Sequence, residues 1–232
     1  FGKPWVGLEG NYVDDKNLHI EEFNFKYGSG YKIYNFDVVI SLYNEEGNIH
    51  SLHNRNKKLE RLFNIKNYIY VNNGSTDSTL ARLQELTKVD EKIKVIDIVE
   101  NLGYGNGYKN GFKHSSADFI VTNHADGQYD AYHYFLSHLS ELNDLDPNYS
   151  IFPQRHNRPL ADTLLTFILR CILSLIVRQN IKEFNGQPKL INKSNISFEI
   201  DQFPNNFSFD FILYLAISNN LKISLPVLQQ DR

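Results

Sequence analysis

The chain has 232 residues, 41% of them hydrophobic and 22% charged, which is typical of a folded globular protein and excludes a disordered or collagen-like chain. Its net charge of −3 argues against a protein that binds nucleic acid through phosphate contacts, because such proteins carry excess Lys and Arg. A single cysteine, Cys171, excludes an internal disulfide and favours a reducing compartment such as the cytoplasm.

Strand-like and helix-like segments alternate along the chain from Phe36 onward. Residues 1–35 show no sustained period, and we predict an irregular extension there. The alternation predicts a mostly parallel sheet flanked by helices, which is an α/β fold. We expect strands at 36–42, 68–71, 93–98 and 119–122, and helices at 48–63, 75–86 and 108–114.

A polar or glycine-rich segment follows each of the four predicted strands. Ligands of open α/β sheets bind outside the carboxyl ends of the strands. One such segment would be ordinary loop chemistry, whereas four in register indicate one shared site. The segments comprise residues 43–46, 72–77, 101–107 and 123–128.

The last of these segments contains a candidate metal site. His124, Asp126 and Gln128 alternate in sequence, so in an extended backbone their side chains point the same way. Imidazole, carboxylate and amide oxygen suit Mn²⁺, with Mg²⁺ as an alternative. The competing interpretation is a polar turn, in which Asp126 and Gly127 are the turn-forming residues.

Two earlier segments have both a binding and a structural interpretation. Residues 72–77 could place amides and backbone N–H groups against a nucleotide, or could simply begin a capped helix. Glu45 and Glu46 could hydrogen-bond a ribose or base, or could be first-turn acids favoured by the helix dipole.

The glycines at 103, 105 and 107 resemble a dinucleotide-binding fingerprint between a strand and a helix. That fingerprint belongs to the first strand of its fold, and here two strand–helix units come before it. The third glycine also does not stand at the spacing that the fingerprint requires. We therefore do not expect a hydride-transfer enzyme.

The second half of the chain offers cationic and apolar features. Arg155 and Arg158 lie three residues apart and could bind phosphate oxygens, or could be solvated surface charge. Residues 160–177 form a long apolar helix candidate interrupted by Arg170, which could lie along a membrane surface, in the core or at a dimer interface. No stretch of about 20 uncharged apolar residues occurs, so we expect no membrane-spanning helix.

Taken together, these segments resemble the family 2 inverting glycosyltransferases, and most of all their dolichol- or polyprenyl-phosphate mannosyltransferase branch. The resemblance covers about residues 36–232. Each motif is loose alone, but five in the family's order are specific. They are residues 38–49, 71–79, 101–111, 124–130 and 185–190, with 207–210 resembling the segment that carries a late acidic residue.

The resemblance implies a GT-A fold with a nucleotide-binding half at about 36–130 and an acceptor half at about 131–232. It implies that Asn73 and Asp126 lie near the nucleotide, and that a divalent metal contacts Asp126 and Gln128. The residues expected to hold the base and ribose are Ser41, Tyr43 and Glu45, and those expected to meet phosphates are Arg155 and Arg158.

The sequence departs from the family pattern at two places. The family usually has two aspartates where this chain has Asn72 and Asn73, and the amides keep hydrogen bonding but lose charge. His124 replaces the first acid of the Asp-x-Asp metal motif, and a neutral imidazole can still bind a metal. We therefore still expect an active enzyme.

Our leading hypothesis is sugar transfer from a GDP- or UDP-sugar to polyprenyl phosphate at the inner face of the cell membrane. The first alternative is transfer to a hydroxyl of a growing polysaccharide, for which Asp210 is the candidate base because a hydroxyl needs deprotonation. The second alternative is a non-catalytic nucleotide-sugar sensor, suggested by Asn72, Asn73 and His124.

Overall fold

The computed structural model describes residues 34–138, 141–142, 148–156 and 160–228. The predicted extension at 1–35 therefore lies almost wholly outside the described residues. The strands are β1 Phe36–Leu42, β2 Ile65–Asn73, β3 Ile93–Ile98, β4 Phe119–Thr122, β5 Ser150–Ile151, β6 Gln154–His156, β7 Lys189–Asn192, β8 Lys222–Ile223 and β9 Pro226–Leu228. The α-helices are α1 Ile49–Lys57, α2 Thr79–Leu86, α3 Tyr104–His114, α4 Ala131–Ser137, α5 Leu160–Val177 and α6 Phe209–Ala216.

Seven strands form the central sheet in the order β3-β2-β1-β4-β7-β5-β8, and β6 pairs with β9 separately. Strand β1 is parallel to both β2 and β4, and β2 is parallel to β3. Strand β7 is antiparallel to β4. The chain reverses its direction of travel across the sheet between β1 and β4, which is where sheets of this type bind ligands.

Both faces of the sheet are covered, because side chains of β1 alternate between two hydrophobic cores. Val38 and Ile40 belong to the core under α1, α2 and α4. Val39 belongs to the opposite core, formed with α3 and α6. The apolar run of β1 therefore reflects burial on both faces, as in other parallel strands.

A buried carboxylate fixes the amino-terminal end of β1. Asp37 is fully buried, and its Oδ1 accepts a hydrogen bond of 2.7 Å from Asn67 Nδ2. Its Oδ2 accepts from the Ser115 hydroxyl at 2.8 Å and from the backbone N–H groups of Ser116 and Ala117 at 2.9 and 3.2 Å. This carboxylate ties the end of α3 to the sheet.

The predicted α/β fold is confirmed, with shifts at some element boundaries. The predicted helix at 48–63 ends at Lys57 and continues as a 3-10 helix over Lys58–Arg61. Helix α3 begins at Tyr104, four residues before the prediction, because tight packing outweighs the low helix propensity of its glycines.

Helix α5 matches the predicted span and shows a largely exposed apolar surface, with Leu175 80% and Ile176 71% exposed. Within the described parts of the chain, no helix is long and apolar enough to cross a membrane.

Candidate functional site

An open cleft lies at the carboxyl ends of β1, β2 and β4, where the strand order reverses. Residues from all four predicted segments line it, as does one residue from the loop before α6. Asp126, Glu45 and Asn73 therefore share one cleft, as a common ligand site requires. The lining residues are Ser41, Tyr43, Glu45, Asn73, Asn101, Tyr104, His124, Ala125, Asp126 and Phe207.

Reciprocal hydrogen bonds lock the loop after β1 to the loop after β2. Asn44 has a positive φ of 55°, which places its Oδ1 to accept from the Thr76 N–H at 2.8 Å. The Asn44 N–H donates to the Ser75 hydroxyl at 3.0 Å, and the Glu45 N–H donates to Thr79 Oγ1 at 2.8 Å. The two loops therefore form one rigid edge that presents Tyr43 and Glu45 to the cleft.

Asn73 ends β2 as a buried amide in the cleft, with only 3% exposure. Its Nδ2 donates to the Gly103 carbonyl at 3.0 Å and to Asn101 Oδ1 at 3.3 Å. Its Oδ1 has no hydrogen-bond partner among the described residues. A buried acceptor without a partner is costly, so a bound molecule with an N–H or O–H group would stabilise it.

The glycines of α3 let this helix approach the cleft. A Cβ on Gly107 would overlap the Ser41 hydroxyl and lie 3.4 Å from Asn73 Cγ. A Cβ on Gly105 would lie 2.6 Å from the Asn206 carbonyl oxygen. The glycine run therefore serves close packing between the helix and its neighbours at the cleft.

His124 and Asp126 reach the cleft from the loop after β4. Burial lowers the pKa of His124, and the nearby Lys189 charge lowers it further, which favours the neutral imidazole that metal ions bind. Asp126 is exposed, and its Oδ1 accepts the Gln128 N–H at 3.0 Å. The Gln128 side chain is not among the groups that line the cleft.

Within the described residues, no three His, Cys, Asp or Glu side chains gather as a complete metal site. His124 and Asp126 supply one imidazole and one carboxylate at the same cleft. Such a partial set fits an ion that takes its other ligands from substrate phosphates, as Mg²⁺ often does.

Arg155 lies behind the cleft rather than in it. Its Nε and Nη2 donate to the two carboxylate oxygens of Glu183 at 3.2 and 3.0 Å. Arg155 is close enough that its charge lowers the pKa of His124, although burial of the imidazole lowers it most. Arg158 lies outside the described residues.

Asp210, at the start of α6, is also buried behind the cleft, with 6% exposure. Its Oδ1 lies 3.1 Å from Lys189 Nζ, and its Oδ2 accepts the Tyr104 hydroxyl at 3.0 Å. The ring of Tyr104 in turn lines the cleft. Asp210 therefore contacts the site through Tyr104.

The structure brings six of the predicted site residues to one cleft. It leaves Gln128, Arg155 and Asp210 outside the lining groups, so their predicted roles stay predictions. Sequence reasoning missed Tyr104, Asn101 and Phe207 as lining residues. Asn101 and Tyr104 belong to the glycine-rich segment after β3. We had predicted that this segment lies at the site, but not which of its residues do. The six that meet are Ser41, Tyr43, Glu45, Asn73, His124 and Asp126.

Comparison with solved structures gives the same fold. Glucosyl-3-phosphoglycerate synthase of Mycobacterium tuberculosis, solved with Mn²⁺, UDP and glucosyl-3-phosphoglycerate, has a TM-score of 0.61 at 14% identity, covering 86% of this chain and 73% of its own. The mannosyltransferase PcManGT of Pyrobaculum calidifontis, solved with GDP-Man and Mn²⁺, has a TM-score of 0.58 at 15% identity, covering 85% and 56%. At these identities the likeness shows the fold, and it confirms the expected GT-A architecture.

Curated relatives match about two fifths of the chain. The uncharacterised glycosyltransferase YkcC of Bacillus subtilis is 30% identical over 94 residues, which is 40% of this chain and 29% of YkcC. A glycosyltransferase of Haemophilus influenzae is 32% identical over 89 residues, 38% of this chain and 27% of its own. These matches span less than a third of the relatives' length. The family model of Glycosyl transferase family 2 matches residues 37–164, more than half of the chain, which therefore belongs to that family.

Proposed function

We propose that the chain transfers a sugar, with inversion, from a nucleotide-sugar donor to a polyprenyl-phosphate acceptor. The observation that carries the donor half of this proposal is the cleft that gathers all four strand-end loops around the unpaired Oδ1 of Asn73. The structural relatives named above were solved with UDP or GDP-Man and Mn²⁺, which supports a nucleotide-sugar donor.

The donor's base and ribose would lie against Ser41, Tyr43 and Glu45. Tyr43 is 49% exposed, and a ring at the cleft edge suits stacking on a nucleobase. Asn73 Oδ1 would accept an N–H or O–H group of the nucleotide. An amide can replace the family's aspartate here, because a single neutral N–H or O–H donor is enough to give the unpaired Oδ1 of Asn73 a hydrogen bond.

Asp126 and His124 would hold a divalent metal, Mn²⁺ or Mg²⁺, with Gln128 as a further predicted contact. When bound, such an ion neutralises charge on the diphosphate of the donor. The chain's own contribution is a neutral imidazole and an exposed carboxylate on one loop, which can share the ion with phosphate oxygens.

The reaction is a displacement at the anomeric carbon. An oxygen of the acceptor phosphate forms the new bond to this carbon while the bond to the diphosphate breaks. The electron pair of the broken bond leaves with the nucleoside diphosphate, and the configuration inverts. The role we keep for Arg155, a cation close enough to lower the pKa of His124, is to add positive potential where the leaving charge develops.

The surroundings of Asp210 favour a phosphate acceptor. Both carboxylate oxygens have partners, Lys189 and Tyr104, and the group is buried, so it is poorly placed to take a proton from a hydroxyl. An ionised lipid phosphate needs no base. Transfer to a polysaccharide hydroxyl remains the alternative, and in it Asp210 would act as the base.

The exposed apolar surface of α5 supports an acceptor at a membrane surface. Among the side chains of this helix that the structure describes, seven large hydrophobic ones are more than 40% exposed. A helix of this kind can lie in the interface plane of a bilayer, where a polyprenyl chain is anchored. We therefore propose peripheral association with the inner face of the cell membrane. The seven are Leu164, Phe167, Ile168, Leu169, Ile172, Leu175 and Ile176.

The decisive experiment compares Asn73→Ala with Asn72→Ala in calorimetric titrations with UDP- and GDP-sugars plus Mn²⁺. Both asparagines are 3% exposed and adjacent on β2. Asn72 Nδ2 donates to Asp97 Oδ1 at 2.7 Å, and Asn72 does not line the cleft. We expect Asn73→Ala to weaken donor binding about tenfold and Asn72→Ala to leave it within about twofold.

A transfer assay with polyprenyl phosphate and with a glycan acceptor then decides the acceptor. If the wild-type protein binds no nucleotide sugar, the proposed function is wrong. If it binds donors tightly but transfers sugar to neither acceptor, a nucleotide-sugar sensor is the better description.

A further inference from the structure

Lys189 is a buried cation close to the cleft. Its side chain is 0% exposed, and it begins β7, where it pairs with Thr122 at the end of β4. Burial lowers the pKa of Lys189, and the adjacent Asp210 carboxylate opposes that shift. Burying a lysine is costly, so its position indicates a specific task.

A continuous set of contacts leads from Lys189 to the cleft wall. Lys189 Nζ lies 3.1 Å from Asp210 Oδ1, and the Tyr104 hydroxyl donates to Asp210 Oδ2 at 3.0 Å. Gln187 Nε2 makes a longer contact of 3.5 Å with the same hydroxyl, and Thr122 Oγ1 donates to Gln187 Oε1 at 2.7 Å. Asp210 on α6 and Gln187 just before β7 therefore both contact this hydroxyl.

The ring held in this way forms part of the cleft. Tyr104 lines the cleft beside His124 and stacks on Phe207, with ring centroids 5.2 Å apart and planes at 21°. Phe207 is 78% exposed, and its ring packs on that of Tyr104. A displaced Tyr104 ring would therefore disturb both aromatic walls of the cleft.

We propose that Lys189 is a positioning residue: by pairing with Asp210 it fixes the carboxylate that holds Tyr104, and so presets the aromatic wall against which the donor packs. This inference rests on the proposed function. A preset wall lowers the ordering cost of binding, so its loss acts on donor affinity more than on the chemical step.

The test uses steady-state kinetics of sugar transfer with Lys189→Met, Tyr104→Phe and the double variant. We expect each single variant to raise the donor KM about fivefold to tenfold, with kcat within about threefold. The donor KM of the double variant should be no higher than that of the more impaired single variant, because the two residues act as one unit. Effects that multiply, or an unchanged donor KM in Lys189→Met, would overturn the proposal.

Two controls guard against a purely structural explanation. Lys189→Met/Asp210→Asn removes both charges, so no unpaired charge stays buried, and it should still show the raised donor KM. Lys222→Met removes a half-buried lysine that contacts Tyr214 and does not line the cleft, and it should leave donor KM unchanged.

An NMR measurement made without donor tests the positioning role of Lys189 separately from the proposed function. In protein carrying ring-¹³C tyrosine, the Tyr104 resonances, assigned with Tyr104→Phe, should shift in Lys189→Met and not in Lys222→Met. Unshifted resonances would overturn the positioning role even if transfer is confirmed. Wild-type protein that binds no nucleotide sugar would overturn the proposed function, while these resonances would still decide whether Lys189 positions the ring.

Discussion

Replacing Gly107 by alanine tests how the cleft is built. Gly107 lies in the first turns of α3, where the helix crosses the ends of β1 and β2. The added Cβ would overlap the Ser41 hydroxyl, lie 2.7 Å from Ser41 Cβ and contact Asn73 Cγ at 3.4 Å. Non-bonded carbon atoms rest at about 3.5–4.0 Å, so Ser41 or the helix must move.

The magnitude follows from two opposing effects. Overpacking of this kind costs about 1–3 kcal/mol, whereas alanine gains about 1 kcal/mol over glycine in a helix. We expect the free energy of unfolding to fall by up to about 2 kcal/mol. Because Ser41 and Asn73 line the cleft, donor affinity should fall about fivefold or more even where the protein is fully folded.

Urea unfolding measures the first effect, and calorimetric titration with UDP and GDP measures the second. Gly47→Ala is the matched control, because a Cβ there meets no atom within 4 Å among the described residues. If Gly107→Ala matched the wild-type protein in both measurements, the close approach of α3 would not shape the site, and the reasoning would be refuted.

Three further predictions concern stability and membrane contact. Asp37→Ala should lower the free energy of unfolding by about 3 kcal/mol or more in urea denaturation, because its four donors lose their buried acceptor. Burial raises the pKa of Asp90, but hydrogen bonds from Lys57 and the Lys92 N–H, together with the nearby positive charge, outweigh burial and hold that pKa below its ordinary value of 3.8. The stability that this carboxylate contributes is therefore present above about pH 4 and lost as pH falls through the lowered pKa. In Asp90→Asn that acid-side loss should shrink, as followed by urea unfolding between about pH 5 and pH 2.5. Leu175→Glu with Ile176→Glu should weaken binding to vesicles of anionic phospholipid at least about tenfold in sedimentation assays.

For each of these three predictions, a specific result would contradict it. Asp37→Ala with wild-type stability would show that the buried carboxylate is dispensable. Parallel acid-unfolding curves for wild type and Asp90→Asn would mean that Asp90 keeps an ordinary pKa. Val89→Glu, a change at a 77% exposed valine after α2, is the vesicle control, and equal loss of binding in it would remove the special role of α5.

The surroundings of Asp210 are the reason for the acceptor that we propose. In the sequence, Asp210 is simply a late acid and a reasonable base. In the fold it is one member of a buried pair with Lys189, 3.1 Å away, and a partner of Tyr104. Both oxygens of this buried carboxylate already have partners and neither lines the cleft, which is why we favour an acceptor that is already ionised.

The sequence by itself determined the α/β class, the four core strands and the edge of the sheet where the site lies. These follow from local patterns: apolar runs of strand length, helix-like spacing between them, and polar segments after each strand. The residue types at those strand ends also indicated the kind of ligand. Such patterns are short-range, so they are readable without coordinates.

Only the tertiary structure decided which side chains face the cleft and which stand behind it. Asn72 and Asn73 are identical in type and adjacent, yet strand geometry sends one to Asp97 and the other to the cleft. Lys189 and Tyr104 are 85 positions apart, and they meet at the same carboxylate because β7 pairs with β4 and α6 packs against α3. Contacts of this range depend on strand order and register, which no local pattern encodes.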